Sequence, residues 1–270
     1  EMFGEDTVLG KRRTIIGSAP APISVDLDAI MIEKEPITVV CSAQGWLKAM
    51  KGHGHKAADI KYKDGDRGQF LLEVQTTDKL VIFATNGRFY TLGCDKLPAG
   101  RGFGEPVRIM VDIPNDASIA MMKMHEPGTR LLVVSSDGRG FIVAADDVLA
   151  QTKSGKQVLN VSGKVEAMIC RTITQGDDSV AVIGKNRKML VFPMNELPEM
   201  GKGKGVILQK FKDGGLSDAK TFNMEKGLEY KYGAGTTTVD DISPWIGKRA
   251  SAGRLPPNGF PKSNCFDYKF

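Results

Sequence analysis

The feature that most constrains this chain is a recurring pattern. An apolar β-prone run, a two-residue turn and a second apolar run are followed by a loop that combines glycine with Lys or Arg. Four copies are clear: "ITVVCSAQGWLKAMKGHGHK" (37–56), "LVIFATNGRFYTLGCDKLPAGRG" (80–102), "RLLVVSSDGRGFIVAADDVLAQTKSGK" (130–156) and "SVAVIGKNRKMLVFPMNELPEMGKGKG" (179–205). With Gly45, Gly87, Gly138 and Arg187 as equivalent turn positions, the spacings are 42, 51 and 49 residues. That is the length of one four-stranded propeller blade. Asn86-Gly87 and Asp137-Gly138 accept positive φ at both central positions of a type I′ hairpin turn. Gln44-Gly45 and Asn186-Arg187 are weaker versions, compatible with a bulged or longer turn. Runs such as Val81-Ile82-Phe83, Leu132-Val133-Val134 and Ala181-Val182-Ile183 are continuously apolar, as expected of strands covered on both faces.

Between the hairpins, "GDRGQFLLEVQTTD" (65–78) and "ASIAMMKMHEPG" (117–128) can supply the remaining strands, and only "AADDVLAQ" (144–151) suggests a short helix. From about residue 212 the pattern loosens. "GLEYKYGAGTTTVDDISPWIGKRASAGRL" reads as a fifth, atypical blade, as terminal repeats tend to be. The fold expected from the repeats is therefore all-β and propeller-like, with about five four-stranded blades over roughly 35–78, 79–128, 129–177, 178–220 and 221–270. The first 34 residues, with "GKRRT" and "SAPAPISVDLDAIMIEKEP", read as a linker from an upstream region.

Composition narrows the function classes. Hydrophobic residues at 41% and charged residues at 26% suit a globular protein, and no apolar run approaches the roughly 20 residues needed to span a bilayer. The opening residues show no apolar stretch followed by small residues, so no secretory signal is expected. Cys41, Cys94, Cys170 and Cys265 are far apart with no C-x-x-C pair, which fits reduced thiols in a cytoplasmic protein better than disulfides or a zinc site. The net charge of +5, with pI near 8.9, permits a polyanionic partner.

The placement of that charge says more than its sum. Five loops combine glycine with cations: "KGHGHK", "LPAGRGFGEPVR", "TKSGKQ", "MGKGKGVILQKFK" and "GKRASAGR". Glycine leaves backbone N–H groups accessible, and the cations can neutralise phosphates. If the blades are radial, equivalent loops fall on one curved positive edge, suited to bent DNA and insensitive to sequence. A single Gly/Lys loop is ordinarily a solvated turn; recurrence at an equivalent position is what separates these from that reading. The candidate phosphate contacts are Lys48, Lys51, His53, Arg88, Arg101, Arg139, Lys156, Arg187, Lys188, Lys202, Lys204, Lys248 and Arg249.

Enzymatic signals are missing. "GKGKG" lacks the G-x-x-x-x-G-K-[ST] pattern of nucleotide hydrolases, no G-x-S-x-G appears, and His53 and His55 have no third metal ligand nearby in sequence. Asp146-Asp147 and Asp240-Asp241 are neighbours that on a strand point to opposite faces. Trp46 is either core packing or a surface contact, and the methionines of "AMMKMHEP" read as filler between blades. A propeller acting as a protein-interaction module fits the same features.

Three segments, "EPITVVCSAQGWLKAMKGH" (35–53), "LPAGRGFGEPV" (97–107) and "MLVFPMNELPEMGKGKG" (189–205), resemble the C-terminal domain of ParC proteins, the DNA-cleaving subunits of bacterial topoisomerase IV, in that family's order and from about residue 35 to about 250. The resemblance implies a β-pinwheel, a ring whose blades exchange strands, in a non-catalytic domain that binds and bends duplex DNA and helps select crossings for relaxation and decatenation. It implies further that the parent enzyme is a type IIA topoisomerase using ATP and Mg. In such an enzyme ParC pairs with itself and with the ATPase subunit in a heterotetramer, in the bacterial cytoplasm at the nucleoid. The piece itself is expected to need no cofactor or metal, and Tyr62, Tyr90, Tyr230, Tyr232 and Tyr268 are not expected to be the cleaving tyrosine. The related C-terminal domain of DNA gyrase A carries a "QRRGGKG" box for full wrapping. Here "GKGKG" (201–205) lacks the preceding Gln-Arg-Arg, which argues against a gyrase-like domain that introduces negative supercoils.

Overall fold

The computed structural model describes residues 32–267, and those from Glu33 onward form one compact unit. The expected linker over residues 1–34 falls almost wholly outside the described residues, and Tyr268 lies outside them too. Each of the four clear repeats folds as a hairpin plus a third strand. These are β1 (Pro36–Ser42), β2 (Trp46–Lys51) and β3 (Gly68–Gln75); β4 (Lys79–Ala84), β5 (Arg88–Gly93) and β7 (Ile119–Met124); β8 (Arg130–Ser135), β9 (Arg139–Ala144) and β11 (Ala167–Ile173); and β12 (Ser179–Gly184), β13 (Met189–Pro193) and β15 (Leu216–Phe222). The turn positions equated from the sequence are equivalent in the backbone: φ is 81° at Gly45, 76° at Gly87, 80° at Gly138 and 59° at Arg187. The expected type I′ turn does not form, however, because neither Asn86 nor Asp137 has positive φ. In all four hairpins the left-handed residue instead closes a longer turn, with its N–H donating to the carbonyl three residues earlier (Ser42, Ala84, Ser135 and Gly184, at 2.9–3.0 Å), as expected only for Gln44-Gly45 and Asn186-Arg187.

The fourth strand of each sheet comes from the following repeat. β6 (Glu105–Pro106), which follows the second hairpin, pairs with β2 of the first blade. β10 (Lys156–Gln157), from the third repeat, pairs with β5, and β14 (Val206–Ile207), from the fourth, pairs with β9. Blade four receives a single bridge in the same place, Arg254 to Met189. The strand order is therefore third, first, second, exchanged. A fifth unit, β16 (Leu228–Tyr232) with β17 (Gly235–Val239), is a two-stranded hairpin.

Strand periodicity explains why the apolar runs are continuous. Successive side chains point to opposite faces. Leu80, Ile82 and Ala84 face a core shared with blade one, whereas Val81 and Phe83 face a core shared with blade three. Leu131 and Val133 then look back to blade two, Leu132 and Val134 forward to blade four. In blade four, Val180 and Val182 look back and Ala181 and Ile183 forward to blade five. The fifth hairpin behaves differently: in β16 Leu228 and Tyr230 are buried while Glu229 and Lys231 are exposed. The series of cores ends on that polar face, and among the described residues no core cluster joins blade five to blade one.

β3, β7, β11 and β15 line one cavity, with Leu71, Glu73, Met121, Lys123, Arg171 and Lys220 among its walls. The third strands are thus innermost and the exchanged strands form the outer edge. The expected helix over 144–151 is only a 3-10 turn, Ala145–Val148, with no side-chain cap, and the one α-helical turn among the described residues, α1, is Val107–Met110. No helix among the described residues is long and apolar enough to cross a membrane.

Candidate functional site: basic straps on the outer edge

Four of the five basic loops are the segments that carry the exchanged strands. Each leaves its own hairpin and pairs antiparallel with the second strand of the preceding blade. Those on blades one, three and four first run parallel to that strand before folding back, with Ala99 beside Ala49, Glu199 beside Ile142 and Ile246 beside Val191. In blade one, Ala49 N donates to Pro98 O at 2.8 Å before Leu47 pairs with Glu105. In blade three, Ile142 N donates to Pro198 O at 3.0 Å before Gly140 pairs with Val206. We call these segments straps.

A glycine leads each strap into its antiparallel pairing. Gly104, Gly155, Gly205 and Gly253 have φ of 87°, 71°, 72° and 79°. A Cβ on each would lie 2.3 Å from Leu47 O, 2.7 Å from Phe89 O, 2.5 Å from Gly140 O and 2.4 Å from Met189 O respectively. These carbonyls belong to the residues that pair with the next strap position. Glycine is required twice over, by backbone conformation and by lack of room for a side chain.

The thirteen candidate residues divide by what their charged groups touch. Three hold straps in place and a fourth holds the C-terminal segment. Lys48, 6% exposed, donates from Nζ to Gly102 O at 3.0 Å and Lys61 O at 3.4 Å, and burial lowers its pKa from the ordinary lysine value. Arg88 donates to Ser154 O at 2.9 Å, and Arg249 to Ile207 O at 2.7 Å. Arg187 donates to Phe260 O at 3.3 Å, Pro261 O at 3.2 Å and Asn264 Oδ1 at 3.1 Å, which pins the C-terminal segment. Arg139 pairs with Asp137 at 3.6 Å beside its own turn, and Lys188 lies half-buried on the next one.

Five are exposed on straps: Arg101 on blade one, Lys156 on blade two, Lys202 and Lys204 on blade three and Lys248 on blade four. Their side chains make no hydrogen bond or ion pair among the described residues. Lys51 and His53 lie on the loop that takes another path. "KGHGHK" turns inward over its own blade, where Gly52 N donates to Pro36 O at 2.8 Å and His53 Nε2 lies 2.9 Å from Val74 O on innermost β3. His55 Nε2 is spent on Lys51 O at 2.9 Å.

Two further exposed strap cations are absent from the sequence-derived set, and alignment on the strap glycine makes one of them, Arg254, equivalent to a candidate. Lys153 is exposed two positions before Gly155, and Arg254 is exposed at the position that matches Lys156. The loops that contain them were visible in the sequence; the equivalence required the pairing. Trp46 is half-buried on outer strand β2, its ring 3.3 Å from Lys63 Nζ and its backbone paired with Pro106.

Comparison with known proteins defines the class first. Residues 129–169 and 178–216 match the family model described as DNA gyrase C-terminal domain, beta-propeller. The solved DNA gyrase A C-terminal domain shares the fold, with a TM-score of 0.60 and 18% identity over 86% of this chain and 80% of that one. This is a strand-exchanged propeller of the type IIA topoisomerase C-terminal class. Within it, the likeness is greater to the Escherichia coli ParC C-terminal domain, with a TM-score of 0.73 and 26% identity over 84% of this chain and 96% of that one. The A subunit of DNA topoisomerase 4 from Rickettsia bellii is 45% identical over 264 residues, 98% of this chain but 36% of that protein. The chain belongs with the C-terminal domains of the ParC family of topoisomerase IV, and it spans about a third of the curated relatives it matches.

Proposed function

We propose that this domain binds duplex DNA along the outer edge of blades one to four and bends it, without itself doing chemistry, as part of a topoisomerase IV ParC chain. The observation that carries the reading is the repetition of one arrangement: on each of four successive blades, a strap held rigidly at its base presents an exposed cation with no protein partner among the described residues. Backbone amides and cations presented along a curved edge neutralise phosphates without reading bases, and curvature favours a duplex that follows the edge. Arg101, Lys156, Lys202, Lys204 and Lys248 are the contacts in this reading; the amine of Lys48 and the guanidinium groups of Arg88, Arg187 and Arg249 are committed to backbone carbonyls. The rest of the ParC chain and an ATPase subunit, with ATP and Mg, would supply cleavage and strand passage, and the bent segment would select which crossings are presented to them.

The test is a titration of random-sequence duplex at varied salt. Binding should be evident at about 50 mM salt, and Lys204→Ala should reduce the slope of log affinity against log salt by about 1 without altering sequence preference. Absence of binding at low salt, or slopes unchanged in Arg101→Ala, Lys156→Ala and Lys204→Ala alike, would overturn the reading.

A further inference from the structure

The straps are alike in backbone and unlike at their tips. Immediately before the strap glycine stand Phe103, Ser154, Lys204 and Ala252 on blades one to four. Five positions after it stand Ile109, Asn160, Lys210 and Asn258. At both places only the blade-one strap carries a large apolar side chain, and both are open to solvent: Phe103 is 45% exposed and Ile109 64%.

A lone exposed apolar residue is ordinary on a protein surface. Phe103 differs in its setting. It sits between two positive-φ glycines, Gly102 at 67° and Gly104 at 87°, and a Cβ at Gly102 would meet nothing within 4 Å. The backbone next to the ring is therefore open to solvent on the Gly102 side. Its base is fixed on both sides: Gly102 O accepts from Lys48 Nζ at 3.0 Å, Gly104 packs on the Leu47 carbonyl, and Val107 N donates to Gly45 O at 2.9 Å. A ring held on so constrained a loop loses little backbone freedom when it inserts. Arg101, exposed and unpartnered two residues away, supplies the charge that would bring a phosphate backbone to this tip.

We propose that Phe103 is a wedge: it enters the minor groove of the bound duplex, partly unstacks one base step and places a kink at blade one. The proposal rests on the DNA-binding reading above and adds a localised deformation to it. Apolar side chains that enter between base steps kink DNA toward the major groove, most readily at flexible pyrimidine–purine steps. The other straps have Ser, Lys or Ala at the tip. The blade-four strap does expose Ile246 and Leu255, but away from its tip, and Leu255 O accepts from Trp245 Nε1 at 2.6 Å, so neither stands on a tip between two positive-φ glycines as Phe103 does. The domain would then bend DNA in two modes, a sharp kink at one end of its path and gradual curvature over the rest.

The experiment uses end-labelled duplex long enough to cross all four straps, with 2-aminopurine placed in turn at successive TA steps, and compares the intact domain with Phe103→Ala and Phe103→Leu at saturating protein. With Phe103 present, end-to-end energy transfer should rise and one 2-aminopurine position should brighten as its stack opens. Phe103→Ala should leave the salt slope unchanged, because no phosphate contact is removed. It should return the bright position to its free-duplex level and lower the energy-transfer change, while Phe103→Leu retains most of both signals. Equal bending and equal brightness in Phe103→Ala, or weaker binding with the same brightness per complex, would overturn the wedge and leave the charged straps standing. Failure of the intact domain to bind any duplex would remove the DNA reading itself.

Discussion

Arg187 shows how one position can serve backbone and packing together. The other three hairpins have glycine at this turn position, where φ is positive; Arg187 accepts a φ of 59° and uses its guanidinium to hold Phe260, Pro261 and Asn264. The left-handed conformation costs a non-glycine residue about 1–2 kcal/mol, and the hydrogen bonds offset it. Arg187→Ala keeps that cost and loses the bonds, so urea unfolding should show a loss of about 2–3 kcal/mol. Arg187→Gly should lose about 1 kcal/mol less than Arg187→Ala, because it also relieves the strain. The salt slope for DNA should stay the same in both, since the charge already faces protein carbonyls. Equal losses for the two variants would show that turn strain is not part of the balance. From sequence, Arg187 and Arg101 look alike, each a cation beside a turn; what separates them is whether a carbonyl seventy residues away has claimed the guanidinium.

At the scale of an element, the strap is the unit that makes neighbouring blades interdependent. Within "GKGKG", Gly201 and Gly205 are four residues apart and have opposite tolerances. A Cβ on Gly201 meets nothing within 4 Å, whereas one on Gly205, at φ 72°, meets Gly140 O at 2.5 Å. Gly205→Ala should therefore cost about 2 kcal/mol or more in thermal or urea unfolding, and Gly201→Ala close to nothing. Hydrogen exchange would show where the damage falls. Although Gly205 follows the blade-four hairpin in sequence, its loss should speed exchange in β9 of blade three more than in β12 and β13. Faster exchange confined to blade four would contradict the strap arrangement. The hairpins that bracket the straps were legible from sequence, because adjacent apolar runs and a turn dipeptide are local signals. The two-residue strand β6 has no pattern of its own, and its partner β2 lies more than fifty residues upstream.

At the scale of the whole molecule, the C-terminal segment ties together the last blades. Arg171 on β11 makes two hydrogen bonds of 3.0 Å to Asp218 on β15 and another to Asp267, while Lys220 lies 3.5 Å from Asp267. Phe266 N donates to Asp218 Oδ2 at 2.9 Å, and Lys231 N of blade five to Phe266 O at 2.7 Å. Burial alone would raise the pKa of Asp267, but Arg171 and then Lys220 outweigh it and hold the carboxyl below its ordinary value. A depressed carboxylate binds its proton less readily folded than unfolded. The stability it contributes is therefore present above the unfolded value of about 4 and lost as pH falls through the lower folded value. Asp267→Asn should flatten the fall in melting temperature below about pH 4 and lower stability at neutral pH. An unchanged acid profile would show that this carboxylate does not set it.

The sequence by itself determined the repeat, its turn positions, the continuous apolar strands and the basic glycine loops, because each depends on residues close together in the chain. It also set the last blade apart as atypical, where the repeat pattern loosens, and the structure shows there a strand with one buried face, Leu228 and Tyr230. Tertiary structure alone decided that four of those loops cross to the preceding blade while "KGHGHK" turns inward, and that some cations hold straps while others remain free. A short exchanged strand is chosen by the open edge it meets, and an arginine's role by the carbonyls within its reach; both are properties of residues distant in sequence that only the packed blades bring together.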